Sequence, residues 1–90
     1  MKMVMAIIGK QDTDAVLDTL MEAGYRTTRL ASTGGFLREG NTTLLIGVED
    51  TQVDPLIALL RQTVAARPPG PANRGRGAVF VLPLDNFVRL

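Results

Sequence analysis

The chain has no cysteine and no histidine. Without cysteine it cannot form disulfides, thiolate metal sites or a cysteine nucleophile. Without histidine it lacks the commonest zinc ligand, the usual base near neutral pH and any Ser-His triad. An enzyme would have to work with carboxylates, hydroxyls, one tyrosine and two lysines, and the adjacent acidic pair Glu49-Asp50 fits a helix start better than an acid–base dyad. We therefore expect no enzymatic activity, no catalytic residue and no metal site.

An excess of one charge is also absent, because ten basic and nine acidic residues leave a net charge of +1. Proteins that bind nucleic acid polymers through the phosphate backbone normally have a clear basic excess, so we expect no such partner. The N-terminal apolar run, Met3 to Ile8, is far shorter than the ~20 residues of a membrane helix and precedes no cleavage site. We expect no membrane span and a cytoplasmic protein.

The 90 residues predict a single domain, residues 1–90. A chain of this length buries only roughly 60–65% of its extended-chain surface, so its core is thin. Small domains usually gain stability from disulfides, a metal or a partner chain. With disulfides excluded and no metal site expected, we expect the protein to self-associate.

Hydrophobic periodicity divides the chain into six elements. Runs of apolar and β-branched residues predict strands, whereas apolar residues repeated every three to four positions predict helices. The predicted strands are Lys2 to Ile8, Tyr25 to Thr33, Thr42 to Val48 and Ala78 to Pro83. The predicted helices are Thr13 to Ala23 and a second helix that opens at Glu49-Asp50-Thr51 and runs to about Ala66. Pro55 must lie in the first turn of the second helix, and Asp54 as the cap with Pro55 at the first helical position is one way to place it. Residues 67–77 hold three prolines and three glycines, so they predict a loop.

The order β-α-β-β-α-β is typical of the ferredoxin-like, or split-βαβ, fold of the α+β class. Such a fold has a four-stranded antiparallel sheet with two helices on one face. The first strand is apolar at every position from Met3 to Ile8, a pattern typical of burial on both faces. The second sheet face is bare in a monomer, which again predicts an oligomer.

The segment 33–43, TGGFLREGNTT, contains the candidate binding residues. Phe36 and Leu37 are large apolar residues in a predicted loop, so they either fold back on the core or meet a ligand or a neighbouring subunit. Asn41 offers a donor and an acceptor together, the pair that reads an adenine edge. A plain turn, a hydrophobic plug and an asparagine that caps its own turn are the alternatives.

Two arginines precede this segment on the predicted second strand. Arg26 and Arg29 fall on opposite faces of that strand, and either could meet a phosphate group. Gly47 interrupts the apolar third strand, which costs packing unless something approaches its backbone closely.

These residues resemble the PII-like cyclic-di-AMP receptor family. The resemblance rests on TGGFLREGNTT, on RTTRLA at residues 26–31, on the opening MKMVMAI and on the ending AVFVLPLDNF. It implies ferredoxin-like protomers in a PII-like homotrimer, no catalysis, no cofactor, and a small nucleotide ligand, cyclic di-AMP, in clefts between subunits. It also implies signalling to a downstream protein partner that the sequence does not identify. The positions that match the family's pocket are Arg26, Thr28, Gly35, Phe36, Leu37, Asn41, Gly47 and Phe80.

The resemblance also implies roles for these positions. Phe36 and Phe80 would supply π-faces for the two bases, and Arg26 would face phosphate. The edge of the adenine would form hydrogen bonds with the side chains of Thr28 and Asn41 and with backbone groups of Leu37 and Gly47.

The chain departs from the family in two places. Gly24 stands where members often have asparagine, and the segment 67–77 is normally much longer. These departures keep two alternatives open: a PII-like sensor of another adenine nucleotide or small anion, and a trimeric interaction module without a ligand.

Overall fold

The structure is a computed structural model that describes residues 1–30, 41–65, 77–86, 88 and 90. Its elements are β1 (Lys2–Gly9), α1 (Thr13–Glu22), β2 (Thr27–Arg29), β3 (Asn41–Val48), α2 (Val53–Ala65) and β4 (Gly77–Pro83). A single 3-10 turn precedes each helix. The strands form one antiparallel sheet in the order β2-β3-β1-β4. The predicted ferredoxin-like α+β architecture is confirmed.

Both helices pack on the same face of the sheet. The buried core unites alternate residues of β1 and β3 with the apolar stripes of the two helices. Its members are Val4, Ala6, Ile8, Val16, Leu20, Leu44, Ile46, Val48, Leu56, Leu60 and Val64. The spacing of Leu56, Leu60 and Val64 on α2 follows the period of about 3.6 residues that the sequence indicates.

The other face of the sheet, called the open face here, has no helix against it among the described residues. Its central row crosses the sheet from edge to edge through the paired residues Thr28, Leu45, Met5 and Phe80. Met5 and Leu45 are half-buried, whereas the Phe80 side chain is 51% exposed. The expectation that β1 is buried on both faces is not met in full, because its second row of side chains, Met3, Met5 and Ile7, is half-buried and no described element covers it.

The second strand begins later than predicted, because Tyr25 belongs to the end of α1. Gly24 has φ +84° and donates from its N–H to the Met21 carbonyl oxygen at 3.1 Å. The Tyr25 N–H donates to the Leu20 carbonyl oxygen at 2.9 Å. This pair of bonds is a Schellman motif, which ends a helix with a left-handed residue. The predicted end of this strand, residues 31–33, lies outside the described residues.

The second helix opens with a turn at the predicted residues Glu49-Asp50-Thr51. The Glu49 N–H donates to Gln52 Oε1 and the Gln52 N–H donates to the Glu49 carbonyl oxygen, each at 2.9 Å. This turn leads directly into α2 at Val53, so Asp54 lies inside the helix and is not its cap. Pro55 still lies in the first turn, where its missing N–H breaks no helical hydrogen bond.

The strand β4 begins at Gly77, whose backbone no other residue adopts easily. Gly77 has φ +147°, and an added Cβ would collide with the carbonyl oxygen of Ile7 on β1. Most of the predicted loop 67–77 lies outside the described residues.

We expect Gly77→Ala to lower the free energy of unfolding by about 3 kcal/mol, because backbone strain and the collision with Ile7 add together. The matched control is Gly24→Ala, which meets the same kind of strain at φ +84° but finds nothing within 4 Å of the new Cβ. It should cost about 1 kcal/mol. Urea denaturation of both variants at one protein concentration measures the difference. An equal decrease in the free energy of unfolding in both variants would contradict the close approach at Gly77.

Candidate functional site

Five of the eight predicted ligand residues lie in the described part of the chain. They are Arg26, Thr28, Asn41, Gly47 and Phe80. The other three, Gly35, Phe36 and Leu37, lie outside the described residues.

The five described residues share the open face. Thr28, Asn41 and Gly47 fall on it by their register on β2 and β3, and Phe80 falls on it through its pairing with β1. Arg26 lies just before β2, and continuing the β2–β3 pairing by one residue places it opposite Gly47. The predicted division of Arg26 and Arg29 between opposite faces agrees with this register.

One end of the open face, called the lower end, is where β3 reaches Gly47. Gly47 is exposed, and a Cβ added to it would meet nothing within 4 Å. None of the described residues makes the close approach expected from the sequence, and they leave the space beside this backbone open. Arg26, also exposed, is the one basic side chain among the described strand positions on the open face and their continuation, and the acidic Glu49 continues β3 at the same end. This end can accommodate an anionic group.

The opposite end, called the upper end, is where β3 begins at Asn41. Asn41 is half-buried and pairs with Gly9 at the end of β1. It lies six positions from Gly47 along β3, a separation of about 20 Å at the usual strand rise. The predicted residues are therefore divided between two distant ends rather than gathered at one point of the protomer.

Thr28 and Phe80 lie between these ends, on opposite edges of the sheet. Three strand spacings separate their strands, which corresponds to about 14 Å. Both side chains are exposed, so the Phe80 ring offers a π-face to a partner molecule.

The acidic group next to the lower end is already compensated by positive charge. Asp50 Oδ1 lies 3.1 Å from the N-terminal amine and 3.7 Å from Lys2 Nζ. The hydrogen bond from the amine, together with the charge of Lys2, holds the pKa of the Asp50 carboxyl below its ordinary value. Asp50 therefore remains ionised and paired at neutral pH.

Sequence reasoning missed a buried polar contact at the upper end. Thr13 Oγ1, at the start of α1, lies 3.0 Å from Thr42 Oγ1 on β3 and 3.3 Å from the Gly9 carbonyl oxygen. Thr13 and Thr42 are only 2% and 5% exposed. The two threonines are 29 positions apart, so no local pattern indicates that they meet.

A cavity of about 610 Å³ lies elsewhere, on the helix side of the sheet between α2 and β4. Its described lining is Ile8, Ile57, Leu60, Arg61, Val64, Gly77, Ala78 and Val79. None of the five described ligand residues borders this cavity, so the resemblance and the cavity indicate different places. We place the candidate site on the open face, where the predicted residues are.

Within the described ranges, no three His, Cys, Asp or Glu side chains are grouped so that they could hold a metal ion. No helix in residues 1–30, 41–65 and 77–86 combines the length and apolarity that a membrane crossing requires.

The fold and its open-faced sheet are those of PII-like proteins, and comparison with known sequences agrees. Residues 1–70 match the sequence model of a family described as "Cyclic-di-AMP receptor". The chain belongs to this PII-like receptor family, which confirms the resemblance seen in the sequence. The matched range includes every predicted ligand residue except Phe80.

Two relatives extend the comparison beyond residue 70. The chain is 32% identical to the "Nitrogen fixation nifHD region GlnB-like protein 1" of Methanothermococcus thermolithotrophicus, over 93% of this chain and 88% of that protein. It is 34% identical to a functionally unknown protein from Pediococcus pentosaceus, whose crystal structure superposes with a TM-score of 0.78. That likeness covers 99% of this chain and 96% of the other.

Proposed function

We propose that the protein is a PII-like signal-transduction protein that binds cyclic di-AMP in clefts between the subunits of a homotrimer. It acts without catalysis, in the cytoplasm, and passes the signal to a downstream protein partner. One observation carries the proposal: the described ligand residues all lie on the open face of the sheet. Arg26 and Gly47 lie at its lower end and Asn41 at its upper end.

The uncovered face supports assembly. Phe80 and Leu82 are 51% and 44% exposed, and the half-buried Met3 and Met5 lie beside them. Contiguous apolar surface of this kind usually marks an interface, and its burial is favourable. Three copies packed around a three-fold axis would cover it on every copy.

The division of the site supports binding between subunits. Arg26 and Gly47 at the lower end lie about 20 Å from Asn41 at the upper end of the same protomer. A small nucleotide contacts both ends most readily when they come from neighbouring protomers. A cleft between subunits therefore brings together groups that a single protomer holds apart.

The residue types suit a cyclic dinucleotide. Such a ligand has two bases to stack and two phosphates to neutralise. Arg26 supplies a guanidinium for a phosphate, and the exposed Phe80 ring can stack on a base. Asn41 can pair with the edge of an adenine, and the open space beside Gly47 lets a ligand approach the backbone.

A second candidate ligand is another adenine nucleotide or a small anion. The family match ends at residue 70, inside the proline- and glycine-rich segment 67–77, which the resemblance implies is shorter than in other members. A changed segment at this place would alter which ligand the cleft closes around. The third reading is a trimeric interaction module with no ligand, and the binding measurements below distinguish it.

Assembly is tested by sedimentation equilibrium at micromolar concentration. We expect a trimer, and a stable 9.7 kDa monomer would contradict it. Leu82→Asp should dissociate the trimer, because it places a charge on the uncovered apolar face. Met21→Asp is the matched control, since Met21 is 71% exposed on α1, away from that face, and this variant should remain trimeric.

Gly47→Val should abolish binding of cyclic di-AMP measured by calorimetry, because the branched side chain fills the open space beside the backbone. Its free energy of unfolding should stay within about 0.5 kcal/mol of the parent, since a Cβ at residue 47 meets nothing within 4 Å. Unchanged binding by a folded Gly47→Val protein would place the ligand elsewhere.

Arg26→Ala should weaken cyclic di-AMP binding by about tenfold to a hundredfold, because a charge-assisted hydrogen bond to phosphate is lost. Binding by this variant should also depend less on salt concentration. Arg29→Ala is the matched control, because Arg29 is equally an exposed arginine but lies on the helix side of β2. Equal effects of the two substitutions would contradict a specific phosphate contact at Arg26.

A further inference from the structure

The buried contact between Thr13 and Thr42, called the threonine link here, lies directly behind Asn41. The two hydroxyl oxygens are 3.0 Å apart, and Thr13 Oγ1 is also 3.3 Å from the Gly9 carbonyl oxygen. A hydroxyl has one proton to donate. Both contacts are satisfied when the Thr42 hydroxyl donates to Thr13 and the Thr13 hydroxyl donates to Gly9. The link thus joins the starts of α1 and β3 to the end of β1.

The link holds Asn41 from two directions. Gly9 is the cross-strand partner of Asn41, and Thr42 is its neighbour along the chain. Thr13 contacts both of these residues. Because successive strand residues point to opposite faces, fixing Thr42 toward the helices fixes Asn41 toward the open face.

The next residue along β3 is bonded to the neighbouring strand within the sheet. Thr43 is 4% exposed, and its carbonyl oxygen accepts a hydrogen bond from the Leu30 N–H, next to β2, at 2.9 Å. Strand ends next to connecting segments are usually the part of a sheet that opens most easily. Here the first residues of β3 are held by the threonine link toward the helices and by this backbone bond toward β2.

We propose that Thr13 is a positioning residue for Asn41, and that the threonine link sets how well the site distinguishes adenine from guanine. The ligand part of this inference rests on the proposed function. Thr13 does not touch the ligand, and it acts by holding Asn41 in the orientation that pairs with the base edge. A fixed donor and acceptor pair discriminates between bases, whereas one that can rotate binds either base weakly.

The test compares Thr13→Val, which keeps the side-chain shape but loses the hydroxyl, with Thr13→Ser, which keeps the hydroxyl. Calorimetry measures the affinity of each for cyclic di-AMP and for its guanine analogue, cyclic di-GMP. We expect Thr13→Val to reduce the ratio of the two affinities by about tenfold, and Thr13→Ser to restore it. Thr63→Val is the matched control, because Thr63 makes a part-buried hydrogen bond of 2.8 Å to Leu59 on α2, away from the site.

A second variant separates positioning from a general loss of stability. Thr42→Val removes the other hydroxyl of the threonine link. Because both substitutions break the same contact, the double variant Thr13→Val/Thr42→Val should reduce the ratio of the two affinities no further than the more affected single variant does. Thr42→Val also serves alone if Thr13→Val does not fold. The inference would be overturned if the two substitutions had additive effects on the ratio of the affinities for cyclic di-AMP and cyclic di-GMP, or if this ratio stayed at the parent value.

Hydrogen exchange of the amides of residues 41–43 gives a readout that needs no ligand. Thr13→Val should speed their exchange, while Thr63→Val should not. If the parent binds no cyclic di-AMP, the proposed function fails, and the exchange rates still decide the positioning role. Unchanged exchange in Thr13→Val would overturn that role.

Discussion

The structure depends on a sheet that has apolar residues on both faces, while both described helices pack on one of them. In β1 the residues on one side, Val4, Ala6 and Ile8, are buried under α1 and α2. The alternate residues on the other side are equally apolar and remain half-buried. Apolar surface on a central strand is costly to leave in water, so burying the open face against another molecule would be favourable. The proposed homotrimer rests on that gain.

The same face separates the groups that the ligand needs. The lower end presents Arg26 beside the open backbone of Gly47, whereas the upper end presents Asn41, held by the threonine link. One end offers charge and space, and the other offers a fixed donor and acceptor. Neither end alone suits a molecule with both phosphates and bases. Assembly would therefore complete the site as well as bury the sheet, which couples ligand binding to the contacts between subunits.

The sequence predicted the parts of the fold that depend on hydrophobic periodicity. The element order, the sheet with helices on one face and the opposite placement of Arg26 and Arg29 all follow from residue patterns of period 2 or 3.6. The family assignment followed from a motif whose residues lie within the matched range 1–70.

Element ends were predicted less well, because hydrogen bonds at helix termini determine them. The Schellman motif assigns Tyr25 to the end of α1, and the turn between Glu49 and Gln52 starts α2 earlier than its proline suggests. Other features of the site depend on tertiary structure. The meeting of Thr13 with Thr42 depends on how α1 packs against β3, and the position of Phe80 relative to Thr28 depends on the order and register of the strands.

The central claim is that the nucleotide site exists only between subunits, and native mass spectrometry during a cyclic di-AMP titration tests it most directly. The account predicts complexes of three 9.7 kDa chains that take up as many as three ligands, with no ligand on single chains. Cyclic di-AMP retained on a single chain, or a trimer that takes up none, would contradict it.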